Sequence, residues 1–209
     1  PDAQIVSAAT GQGIDGLVGR IARAASSRDE RLEHFTAVGV AISHMCRDPL
    51  LAYGAKGFAD HQKGISSYEV EQIILAIIVT TGVASIFLTK DFTPDYNSGL
   101  AHAIFYALTS YPIIEEKHLH GEVVGFGVLL ALLVDGQDEE FEKVYQLNKS
   151  VKLPVSLEEI EISEQQWEES TNRIPHMSDV AHYPYAVTKQ MLTEAMRKLK
   201  ERAGRENHE

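Results

Sequence analysis

His102 and His120 are the residues of this chain whose type and setting most clearly suit them to chemistry. They stand in "SGLAHAIFYAL" and "EEKHLHGEVVGFGVLLALL" and read as imidazoles on the inner ends of two apolar helices. Neutral imidazole is a common metal ligand. A carboxylate is available from Asp15, which follows the chain-breaking Thr10, Gly11 and Gly13 and opens a periodic helix of Leu17, Val18, Ile21 and Ala25. Two His and one Asp form a ligand set that leaves coordination positions open for a substrate oxygen or water. Each residue also has a plainer reading: a hydrogen-bonded core or capping imidazole for either histidine, a first-turn cap for the aspartate. His118 is separated from His120 only by Leu119, and in an extended segment both would point the same way. That puts His118 beside the metal or substrate without ligating it, or leaves it a surface residue of a polar loop. Glu115 and His118 make one Glu-x-x-His, whereas a di-iron carboxylate bundle needs two such motifs and two further glutamates.

Helices have to position these groups, and helical periods run along nearly the whole chain. Asn97 to Ser110 opens on an Asn-Ser-Gly cap signal and carries Leu100, Ala101, Ile104, Phe105 and Leu108 at helical spacing. His120 to Val134 is almost wholly apolar, as a buried helix is and a surface helix is not. Upstream, Asp29 to Asp48 repeats apolar residues at steps of three and four, and a further helix is expected to start at Pro49. Ser66 or Ser67 caps the next, whose apolar stretch Ile73 to Leu88 reads as a central core helix; it is too short and too interrupted for a membrane span. Asp91 to Asn97 reads as a loop, and Glu139 to Ser150 as an amphipathic helix. Leu153 to Ile162 reads as an extended connector, followed by helices near 163–172 and 187–202. The expected architecture is therefore all-α, a multi-helix bundle forming a single domain over residues 1–209, with at most a short N-terminal strand within Pro1 to Ala9.

Composition narrows the partners. A net charge of -11 argues against a nucleic-acid or anionic-membrane surface, since both require a basic face. Cys46 is the only cysteine, which excludes an intrachain disulfide or thiolate cluster and agrees with a cytoplasmic setting. The chain begins at Pro1 without a methionine, the expectation for a processed product, an excised domain or a fragment. No strand, Gly-rich turn and helix unit of the dinucleotide-binding kind occurs in it, so no cofactor-binding residue is assigned here.

The segments "AATG" with Asp15-Gly16-Leu17, "AHAIFYALT", "HGEVVGFGVLLAL", "LPVSLEEI" and "HYPYAVTKQMLTEAM" occur in that order. In that order they resemble the C-terminal helical domain of the iron-containing alcohol dehydrogenase family, most nearly its glycerol dehydrogenase branch. The resemblance implies a dehydroquinate synthase-like α domain with Asp15, His102 and His120 as ligands of one divalent metal, zinc or iron. It implies a small alcohol or polyol substrate whose hydroxyl the metal polarises, and hydride transfer to NAD or NADP. The family's N-terminal α/β domain, which binds the nicotinamide, is absent from this chain, so the chain alone is expected to be incomplete as an enzyme. Three residues, Gln12, Gly13 and Ile14, separate Asp15 from the Gly of "AATG", where the family usually has one. Two rival readings stand beside this one. Dehydroquinate synthase carries similar "HAIE" and "LHGE" segments, but has a glutamate as first ligand and a further His where Ser98 stands here. The other rival is a non-catalytic helical interaction module. A homo-oligomer is left open.

Overall fold

The computed structural model describes residues 40–88, 98–181, 183 and 185–206. Asp15, the strand expected near the N-terminus and the loop expected at 91–97 all lie outside the described residues. Among those described, every regular element is helical. They run α1 (Val40–Gln62), α2 (Tyr68–Leu75), a π-helical stretch (Ala76–Thr80), α3 (Thr81–Leu88), α4 (Leu100–Leu108), α5 (Pro112–Lys117), α6 (His120–Val134), α7 (Asp138–Ser150), α8 (Glu164–Thr171) and α9 (Lys189–Glu206), with 3₁₀ turns at Ile174–His176 and Ser178–Val180.

The core forms around α6. Val123, Phe126, Leu129, Leu130 and Leu133 are buried in it, with α4, α7 and α9 packed around them. Leu100, Ala103, Ile104, Ala107 and Leu108 line the inner face of α4, and Leu192, Ala195, Met196 and Leu199 that of α9, each at helical steps of three and four. Helix starts carry chemical signals. The Ser67 hydroxyl accepts from the Val70 N–H, and Ser163 and Gln166 bond each other's backbone N–H in a capping box. Glu122, in the first turn of α6, accepts from the Leu119 N–H at 3.0 Å and so fixes where that helix, and His120 with it, begins.

Three local expectations are revised. Pro49 does not start a helix but lies inside α1. Its missing N–H deprives the Met45 carbonyl of a donor, which solvent can replace because Met45 is exposed. Residues 153–162 fold into turns rather than an extended connector, the Ile162 N–H reaching the Leu157 carbonyl at 3.0 Å and Glu159 accepting from the Val155 N–H at 2.6 Å. The stretch from Ile73 is not a core helix among the described residues. Of its residues as far as Ala84 only Ala76 and Ala84 are buried, while Ile74, Leu75, Ile77, Ile78, Val79 and Val83 are exposed. The π-helical turn between them is held by Thr80 and Thr81, whose hydroxyls both donate to the Ala76 carbonyl, at 2.7 and 2.9 Å.

Candidate metal centre

Helices α4 and α6 run antiparallel and touch closely. A Cβ added at Gly127 would lie 2.7 Å from the Ala101 carbonyl oxygen, so the backbones meet there as only glycine allows. One turn along α4, Phe105 reaches the start of α6, its ring edge-on to His120 with centroids 4.3 Å apart. This crossing brings together the two histidines that the sequence singles out: the His102 and His120 ring centroids are 5.5 Å apart with the planes inclined at 44°. Two imidazoles bound to one tetrahedral metal, with nitrogen about 2.0–2.1 Å from it, would have centroids about 5 Å apart, so the observed spacing fits a shared ion.

Electrostatics favour the ligating form of His102. The imidazole is half-buried, and desolvation pushes its pKa below the ordinary histidine value; the neighbouring His120 pushes the same way. It is therefore neutral at pH 7, with a lone pair to give. Asp179, in the 3₁₀ turn packed on α4, opposes that shift through its charge. Sequence reading did not single out Asp179, since an acidic residue in a polar turn carries no periodic signal. Tyr106 completes the surroundings, with its ring 6.4 Å from His102 and 5.2 Å from Phe105.

His118 has different neighbours. Its ring lies between two carboxylates, Nδ1 3.7 Å from Glu122 and Nε2 3.6 Å from Glu161, and it lines an open cleft with Lys117, Lys149 and Lys152. Its Nε2 is buried without a hydrogen-bond partner among the described residues. Among the described residues no group of three His, Cys, Asp or Glu side chains is arranged to hold a metal, and Asp15 lies outside them.

No family model matches the chain. Individual proteins do. A glycerol dehydrogenase from Citrobacter freundii is 33% identical over 134 residues, 62% of this chain and 33% of that protein. Hydroxycarboxylate dehydrogenase A from Escherichia coli strain K12 is 26% identical over 174 residues, 81% of this chain and 47% of its own length. The fold also matches the crystal structure of glycerol dehydrogenase from Schizosaccharomyces pombe with a TM-score of 0.62, at 18% identity over 90% of this chain and 48% of that one. The chain resembles glycerol dehydrogenases in sequence and shares the fold of about half of one. It spans only a third to a half of the length of these curated relatives. Among the described residues no helix is long and apolar enough to cross a membrane.

Proposed function

We propose that this chain is the metal-holding helical part of a polyol dehydrogenase, with Asp15, His102 and His120 as protein ligands of one divalent ion, zinc or iron. The observation that carries the reading is the 5.5 Å spacing of two imidazoles on separate helices, in a chain that resembles glycerol dehydrogenases. When bound, the ion supplies Lewis-acid polarisation of a substrate hydroxyl. The chain's own residues prepare that site. His102 is neutral where a protonated imidazole would repel a cation. Phe105 packs its edge on His120 and limits that ring's rotation, and Glu122 fixes the turn that presents it. Asp15 would lower the net charge of the site. Hydride would pass to NAD or NADP held by a nicotinamide-binding half outside this chain. His118 serves beside the ligands at most, since its described neighbours are Glu122 and Glu161.

The test uses the chain joined to a nicotinamide-binding half. His120→Ala should lose bound metal and polyol oxidation together. His118→Ala should keep its metal within the ~10–100-fold loss typical of residues that support a ligand without being one. Metal loss in His118→Ala, with retention in His120→Ala, would overturn the assignment.

A further inference from the structure

We propose that Tyr106 is a substrate-positioning residue that hydrogen-bonds a second hydroxyl of a vicinal diol whose first hydroxyl occupies the His102–His120 site; this rests on the metal reading above. Tyr106 is out of keeping with its helix. Its neighbours Ile104, Ala107 and Leu108 are buried, whereas Tyr106 is 46% exposed. It follows His102 by four residues and so lies on the same helical face, one turn on. Rings surround the same spot: His102 at 6.4 Å from Tyr106, Phe105 at 5.2 Å, and His120 against both Phe105 and His102. Phe105 is used in holding His120, whereas the only hydrogen bond from a side chain to Tyr106 among the described residues goes to its backbone, the Thr109 hydroxyl donating to the carbonyl at 2.8 Å. Its phenol hydroxyl has no partner among the described residues.

A phenol is both donor and acceptor, as is an alcohol, so the two pair in either sense. A molecule with one oxygen between the imidazoles and another on the adjacent carbon would extend along the α4 face toward that hydroxyl, with the Tyr106 ring as an apolar wall for its carbons. A monoalcohol would meet the wall but leave the hydroxyl unused. Tyr106 would thus favour diols over simple alcohols.

The experiment compares the 209-residue chain with Tyr106→Phe. Zinc affinity is measured by calorimetric titration, and glycerol and 1-propanol are then titrated into the zinc-loaded proteins, followed by the NMR shifts of the histidine rings. Zinc affinity should match in the two proteins. Glycerol should bind Tyr106→Phe about three- to tenfold more weakly, the worth of one hydrogen bond, while 1-propanol binding stays unchanged. Equal weakening of both alcohols, no weakening of glycerol, or no saturable glycerol binding by the zinc-loaded wild type would overturn the role of Tyr106 and leave the metal reading intact. Failure of the wild type to bind zinc would remove both.

Discussion

A methyl group at Gly127 should damage the scaffold that brings the two histidines together. Its Cβ would stand 2.7 Å from the Ala101 oxygen, 3.0 Å from the Ala101 Cα and 3.2 Å from its carbonyl carbon. These are backbone atoms of α4, not the end of a flexible side chain, so the helices must move apart. Overpacking of this kind costs about 1–3 kcal/mol. Alanine recovers about 0.5–1 kcal/mol over glycine inside a helix, which would blur the result in a single variant. Gly125 provides the control. On the same helix, its added Cβ would meet only Leu153 at 3.7 Å and Asn148 at 3.9 Å, ordinary contact distances. The helix term is common to both changes, so Gly127→Ala should be less stable than Gly125→Ala by about 1–3 kcal/mol. In a chain of this size that is about 2–12 °C in Tm, readable by thermal or urea denaturation. Zinc affinity should fall with it, because the displaced helices carry His102 and His120. Equal stability of the two alanine variants would refute the close approach of α4 and α6.

Two further outcomes follow from the supports of the bundle. Glu142 accepts two hydrogen bonds from the Arg202 guanidinium, at 2.7 and 2.8 Å, which hold its pKa down from 4.5 to about 2. Because the folded value is the lower one, the pair stabilises above pH 4.5 and loses its effect as pH falls from there toward about 2. Glu142 is 44% exposed, so Glu142→Gln should cost no more than about 1 kcal/mol at pH 7. A deficit that persists undiminished in acid denaturation near pH 2 would contradict the linkage. Ser163→Ala should cost about 1 kcal/mol by removing the cap of α8. Ser163→Asp should restore most of it; urea midpoints that do not separate the two would argue against the cap.

Much of the fold was legible because α4, α7 and α9 each carry an apolar stripe that their packing buries, and α6 is apolar nearly all round, as a central helix must be. The stretch from Ile73 shows the limit of the same signal. Continuous apolarity marks a helix but not what covers it: here Ile73 packs on Gly57 of α1, while of the residues as far as Ala84 only the small Ala76 and Ala84 are buried. Pro49 misled for a related reason: proline is favoured at a helix start, but here it sits within α1, one turn after the exposed Met45. His102 and His120 were legible as a pair from their places at the inner ends of apolar helices. Their actual meeting depends on Gly127 and Phe105, which no spacing in the sequence ties to them. Asp179 reaches the same place from a turn, where periodicity carries no information, whereas Tyr106 was legible as the residue one turn after His102, where members of the resembled family with a fourth ligand carry another His.

The most direct test of the central claim is a zinc titration of the chain followed by NMR of its histidine rings. The account predicts a single saturating site at which the His102 and His120 resonances shift together, while those of His44, His61 and His176 stay in place. Asp15→Asn and His102→Ala should each weaken it by more than the ~10–100-fold expected for a residue that only supports a ligand. Zinc that fails to saturate, or that shifts other histidines while leaving His102 and His120 unmoved, would contradict it.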